Sequence, residues 1–414
     1  MLVSARGIAG LTLASLTLSA QIIEYSPPLP PVKAVGADRG LFRFQRGGNW
    51  GFMNRSGRTM IAPRFSGAND FFEGLAAVEQ SGKWGYVAAS GEFVIVPRFD
   101  GAGNFDRGKA PVKVDEHWGL IDRTGMFVVS PQLDQIGPFS PEGLAAVWTN
   151  AKRRGNERLV WIYGGKWGFM DRSGKLVVDP QFDWAQDFSE GLAAVGFGGE
   201  RDAQGDIAIM NGVKWGFIDV TGKLAIPPIF DEVKRFSSGT SVVWSEQEKK
   251  LGLIDRNGRL VLPYQFRSIE PFHEGLAPVR GPDGEGYITP DGSFAIRASG
   301  WDFGTVYQGF GAFSEGLAPI NEGDDRVGFI ERSGHIQIPI HFTWTTGFSE
   351  GLAAVKVGAL WGYINMAGKT VIQARFSAAG SFVDGLALVR TGTTMWSYID
   401  TRGSVILRDV FRSE

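Results

Sequence analysis

The chain contains no cysteine among its 414 residues. That absence excludes disulfides, thiol nucleophiles and thiolate metal sites, although it leaves an oxidising compartment open to a fold that needs no cross-links. Histidine is nearly as scarce. The four present, His117, His273, His335 and His341, include no pair at the i, i+4 spacing that presents two ligands on one helix face. An excess of charge of one sign is also lacking: the formal net charge is -2 with 21% charged residues, which leaves no electrostatic footprint for nucleic acid. With 43% hydrophobic residues the composition is that of a folded chain, not a disordered one. No stretch beyond the N-terminal segment is long and apolar enough to span a membrane. No Gly-x-Ser-x-Gly elbow, phosphate loop or dinucleotide fingerprint occurs in a strand-turn-helix context. The expectation is a non-enzymatic protein that carries no cofactor and no metal.

Glycine, by contrast, is abundant at 58 residues, without a collagen period. So many glycines fit an all-β chain with a tight turn every dozen residues. The N-terminus differs from the rest. Met1 to Arg6 carries one positive charge, residues 7–19 are small and apolar, and Ala20 offers a cleavage point before Gln21. This is the layout of a signal peptide over residues 1–20, with an apolar core too short for a membrane span, and it predicts export to the periplasm or the exterior. Residues 21–37 contain Pro27, Pro28, Pro30 and Pro31 and read as an extended, polyproline-like spacer. Residues 38–414 form one repeat array.

Two anchors keep time through that array. One is the glycine of the phrase Phe-x-Glu-Gly-Leu-Ala, at Gly40, Gly74, Gly108, Gly143, Gly191, Gly239, Gly275, Gly316, Gly351 and Gly385. The other is a Trp-Gly position, at Trp50, Trp84, Trp118, Trp167, Trp215, Trp361 and Trp396, with Leu251, Glu285 and Val327 standing in for tryptophan. These give about ten units of a basic 34 residues, as from Gly74 to Gly108. Each unit reads as three short strands, typified by Leu75-Ala76-Ala77-Val78, Lys83-Trp84-Gly85-Tyr86-Val87 and Phe93-Val94-Ile95-Val96. A glycine falls seven residues after every Trp position, Gly91 and Gly174 among them, and predicts a hairpin that ends in a positive-φ residue. Trp167 and Phe169 share one face of their strand and Gly168 and Met170 the other, so the strand should be buried on both sides, with the glycine admitting a close neighbour. Phenylalanines fifteen residues after the Trp position (Phe65, Phe99, Phe182, Phe230, Phe266, Phe342, Phe376, Phe411) should plug the junctions between units.

The repeat breaks its own rule in three places. In the fourth and fifth units the first and second strands are separated by extra residues, 150–165 and 196–213. The first insert is basic and aromatic (Lys152, Arg153, Arg154, Arg158, Trp161, Tyr163); the second is mixed in charge. Residues 297–310 form the third, with Trp301, Phe303, Tyr307 and Phe310. Length breaks in a repeat map to loops on one face, and equivalent loops of adjacent units should meet in one patch. Because arginine, tryptophan and tyrosine are the usual anchors of an interface, the candidate partner contacts are Arg153, Arg154, Arg158, Trp161, Tyr163, Trp301 and Tyr307. A periodic acid precedes the glycine in seven units (Glu73, Glu142, Glu190, Glu274, Glu315, Glu350, Asp384). Arg107 and Ser238 replace it without disturbing the spacing, so backbone N–H groups at the turns, not cations, are its expected partners. Asp122, Asp171, Asp219, Asp255 and Asp400 read as turn-formers on the same ground.

The phrases Phe348-Ser349-Glu350-Gly351-Leu352-Ala353-Ala354-Val355 and Lys166-Trp167-Gly168-Phe169 resemble the WG-repeat (KWG-repeat) family of bacterial proteins. The likeness covers about residues 38 to 414 and departs where repeats six to eight lose the tryptophan. It implies bacterial origin, β-hairpin repeats and no catalytic residues. Since ten units exceed the four to eight blades usual for a propeller, the expected architecture is an open, curved, solenoid-like stack of hairpins, with a closed propeller, or two of five blades, as the alternative. The expected role is an exported scaffold for protein–protein interaction. The alternative is a cell-envelope glycan binder that stacks sugars on Trp161, Trp301 or Trp344.

Overall fold

In the computed structural model the described residues are 40–156, 159–201, 207–209, 212–282, 284–302, 311–323, 326–393 and 395–412. The expected signal peptide and proline-rich spacer lie outside them. Each repeat folds into a small antiparallel sheet whose strands follow one another in chain order. In the second, these strands are Gly67–Phe72, Leu75–Gln80, Lys83–Ala88 and Phe93–Phe99. Most sheets thus have a fourth, leading strand that the sequence reading missed. It is only two residues long in several sheets, as in Gly101–Ala102 and Gln135–Ile136, too short for period-2 alternation to register.

The turns explain the glycine anchors. Glu73 and Gly74 have φ of 52° and 79°, the left-handed pair that a tight two-residue hairpin requires. At the hairpin between the last two strands of a blade, the five expected turn-forming aspartates do form turns. Asp171 Oδ1 accepts N–H bonds from Ser173 (2.8 Å) and Lys175 (3.1 Å), and Asp122, Asp219, Asp255 and Asp400 repeat the pattern. The hydroxyls of Thr124, Ser173 and Thr221, aided by these N–H groups, hold Asp122, Asp171 and Asp219 below the usual carboxylate range. Groups whose folded pKa is depressed stabilise the fold above their unfolded value and lose that contribution as pH falls through the folded one. Thermal unfolding should therefore be flat near neutrality and drop as pH falls through and below about 4. A variant with Asp171→Asn and Asp219→Asn should show a shallower drop in the same melts.

The glycine of Trp-Gly has a different reason. The last strand bulges opposite it: Trp84 pairs with Phe99 but Tyr86 with Ile95. A Cβ on Gly85 would lie 2.5 Å from the Ile95 carbonyl oxygen and 2.7 Å from the Pro97 nitrogen. Equivalent backbone atoms crowd Gly51, Gly119, Gly168, Gly216, Gly328 and Gly362. In the last unit, where Ser397 takes this place, the bulge moves so that Ser397 itself pairs with Arg408.

Ten such sheets, numbered here as blades 1 to 10 in chain order, are arranged around a ring. Each apolar core lies between neighbours, not within a blade. Phe52, Ile61 and Phe65 of blade 1 pack with Ala68, Phe71 and Val78 of blade 2. The aromatic two residues after the Trp position meets the phenylalanine of the next blade's Phe-x-Glu-Gly phrase edge to face, as in Phe52–Phe71, Tyr86–Phe105 and Phe217–Phe236, each at 4.8 Å between centroids. The +15 phenylalanines from Phe65 to Phe376 are buried at these junctions as expected, while nothing is described of the Phe411 side chain.

The expected open stack is not what forms. The tenth core joins the ends: Phe44 and Met53 of blade 1 pack with Leu386, Leu388 and Tyr398 of blade 10. Tyr398 Oη approaches the Arg43 carbonyl at 3.5 Å, and the Gly57 turn sits on Ile406 as the Gly91 turn sits on Ile61. The chain is a closed ten-bladed β-propeller. The count of known blade numbers on which the open stack rested is a statistic, not a geometric limit. A repeated head-to-tail contact gives a ring whenever its rotation closes, and closure removes the two exposed edges that an open array must cap.

Candidate functional site

Because consecutive strands run antiparallel, the hairpins divide between two faces of the ring. On one face lie the Glu-Gly turns, laced blade to blade. The Glu73 carboxylate accepts N–H bonds from Arg107 (2.5 Å) and Gly108 (2.8 Å) of the next blade, and Arg123 of that blade donates back to the Glu73 carbonyl at 2.8 Å. Glu142, Glu190, Glu274, Glu315 and Glu350 clamp their neighbours in the same way. These six periodic glutamates thus bond backbone N–H groups, as expected, but those of the next blade.

The opposite face carries the hairpins between second and third strands and both inserts. In blade 2 this hairpin turns tightly at Ser81-Gly82. In blade 4 the two strands run on as Leu144–Asn156 and Leu159–Asp171, 13 residues each against 6 in blade 2. The register continues past Trp148↔Trp167 to Lys152↔Tyr163, Arg154↔Trp161 and Asn156↔Leu159. In blade 5 the insert forms its own ribbon, Glu200–Arg201 paired with Ile207–Ile209, and this ribbon packs against the second strand of the blade 4 hairpin. The two inserts thus lie side by side on this face.

Its base is firmly held. Trp148 and Trp167 stack at 5.9 Å with an 8° interplanar angle, and the Trp148 indole N–H donates to the Gly164 carbonyl at 3.0 Å. Asp134 accepts the Ala151 N–H at 2.7 Å, and Asp183 accepts the Gly198 N–H at 2.9 Å while pairing with Lys166. The lysine of Lys-Trp-Gly pairs likewise in Lys83–Asp100 and Lys214–Asp231.

Of the candidate contacts, Arg153, Arg154, Trp161 and Tyr163 lie on the strands of the long hairpin, whereas Arg158 and Tyr307 lie outside the described residues. Trp301 is a correction. It is 8% exposed and packs with Tyr287, Phe313 and Ile320 in the core between blades 7 and 8. Blade 7 has Glu285 at the Trp position and Gly300 where the +15 phenylalanine should stand, so Trp301 fills the junction instead of facing a partner. Trp344, at 40%, is exposed.

A site that sequence reasoning did not single out lies beside the blade 5 insert. An open cleft of about 410 Å³ is lined by Lys214, Asp231, Trp244, Glu246 and Tyr264 among others. Burial pushes the Asp231 carboxyl up, but Lys214 and the Glu246 N–H outweigh it and hold it below the usual range. Burial, followed by the charges of Glu246 and Asp231, raises Glu232. The signal was there: Leu251 occupies the Trp position, and Tyr264 stands where blades 1 to 5 have proline. Among the described residues no group of three or more acids and histidines could hold a metal ion, and no helix is long and apolar enough to cross a membrane.

Against known families, the model of the WG containing repeat matches residues 50–84, 84–116, 118–152, 167–200, 215–243, 252–280, 328–361 and 361–392, more than half of the chain. The chain belongs to the WG-containing repeat family. The unmatched span between residues 280 and 328 coincides with the loss of the WG tryptophan at Glu285 and Val327. No curated protein matches the chain. Among solved structures, this WG propeller is similar to a eukaryotic initiation factor at 14% identity, with TM-score 0.48 over 81% of this chain and 95% of that one. It is also similar to the computationally designed Ika8 protein (12% identity, TM-score 0.34, 84% and 96% covered). A third is BamB from Moraxella catarrhalis (12% identity, TM-score 0.31, 72% and 95% covered).

Proposed function

We propose that this WG-repeat propeller is an exported, non-enzymatic scaffold that binds another protein through the insert-bearing face of blades 4 and 5. The observation that carries the reading is the blade 4 hairpin. Its strands extend beyond anything the ring needs, yet its base is fixed by the Trp148–Trp167 stack and the Asp134 bond. A projecting element on a rigid scaffold is the usual arrangement of a recognition surface. The residue types along it, Arg153, Arg154, Trp161 and Tyr163, are those that carry most interface energy. The export reading rests on residues 1–20.

Affinity capture from envelope extract tests it, with the full chain beside a version whose residues 150–165 are cut to the two-residue turn of blade 2. A protein retained by the full chain and lost from the shortened one is the expected result. Equal retention by both would place the contact elsewhere on the ring. Fractionation with N-terminal sequencing of the processed chain, expected to start at Gln21, tests export.

A further inference from the structure

Blade 6 departs from the repeat in a way that the ring itself does not require. The Trp position is Leu251, and a tryptophan stands opposite it on the neighbouring strand, where Trp244 pairs with Leu251. Tyr264 replaces the proline of blades 1 to 5 and packs over Gly252, where a Cβ would come within 3.1 Å of its ring. These two aromatics border the open cleft of about 410 Å³ between the outer part of blade 5 and blade 6. That volume lies within the range of small-ligand sites.

The polar groups converge on the same space. The Trp244 indole N–H donates to Glu246 Oε2 at 3.1 Å, which fixes the ring edge. Asp231 Oδ2 accepts the Glu246 N–H at 2.8 Å, so the loop and the acid hold each other. Both carboxylates already carry a lysine: Lys214 on Asp231 and Lys249 on Glu246. The wall is therefore rich in donors and acceptors but balanced in charge. Such a wall disfavours a strongly charged ligand, which would have to break an ion pair to enter. Aromatic surface beside oriented carboxylates, an ammonium and the amide of Gln247 suits a ligand with apolar C–H faces and many hydroxyls.

We infer that the cleft bounded by Trp244, Tyr264, Asp231, Glu246, Lys214 and Gln247 is a binding site for a neutral saccharide. The assignment is independent of protein binding at the inserts: it uses other residues, and either can fail alone.

The test is titration calorimetry of the full chain with three neutral tetrasaccharides, cellotetraose, maltotetraose and N-acetylated chitotetraose, beside tetralysine as a cationic control. At least one saccharide should bind at about 1 mM or tighter, and tetralysine should not compete. Trp244→Ala should weaken binding by about tenfold or more, the size expected for loss of a central aromatic anchor. Tyr264→Pro, which restores the residue of blades 1 to 5 and keeps the backbone suited to its bulge, should also weaken it. Trp344→Ala, at an exposed tryptophan elsewhere, should leave it unchanged. Melting curves of each variant separate loss of the site from loss of the fold. The inference is overturned if none of the three saccharides binds, if tetralysine binds in their place, or if binding survives both Trp244→Ala and Tyr264→Pro in folded protein.

Discussion

Replacing Phe44 with alanine should cost about 3–5 kcal/mol of stability, the loss typical of a large aromatic removed from a packed core. Phe44 is fully buried, and it is buried only by closure: its neighbours Leu386, Leu388 and Tyr398 come from the other end of the chain. If the array were open, the same side chain would stand on an exposed terminal blade, and its removal would change stability by less than about 1 kcal/mol. Urea denaturation with hydrogen exchange of the blade 10 amides distinguishes the two. In the closed ring the Phe44→Ala variant should lose protection at Leu386 to Thr391, a strand remote in sequence from the substitution.

The second large effect is expected at Gly85. Alanine there should destabilise by about 1–3 kcal/mol, the usual cost of forcing an extra methyl into a packed site. Gly85 has no positive φ, so no backbone strain enters; the added carbon meets the Ile95 carbonyl at 2.5 Å. Ser397→Gly provides the comparison. At that position the bulge has moved and a side chain already fits, so removing it should give no gain of like size. Chemical denaturation of both variants reads the contrast. A neutral Gly85→Ala would mean that the bulge can shift in blade 2 as it has in blade 10.

Much of the construction is legible in the sequence. The turn glycines, the turn-forming aspartates and the plugging phenylalanines each recur with a fixed offset, and a fixed offset in a repeat needs a local physical cause. Closure was not legible. It depends on a small rotation between blades that no single residue encodes, and the residues that complete it, Phe44 and Tyr398, are ordinary members of the pattern. The direction of the acid clamp was hidden for a similar reason: Glu73 is near Gly74 in sequence, while its hydrogen bonds go to Arg107 and Gly108. Trp301 misled because an aromatic in a length break reads the same whether it faces a partner or fills a gap left by a missing phenylalanine. The blade 6 cleft has no added residues to mark it; its signal in the sequence is an exchange, Leu251 for tryptophan and Tyr264 for proline.

Closure also decides which blades stand far from the join. The strand Leu41–Arg46 lies against Val405–Arg412, so the first and last strands of the ring meet at one place. In a circle of ten, blades 5 and 6 stand diametrically across from that point. The inserts of blades 4 and 5 and the cleft beside blade 6 all lie in that far sector, so a substitution there leaves the contact that closes the ring untouched.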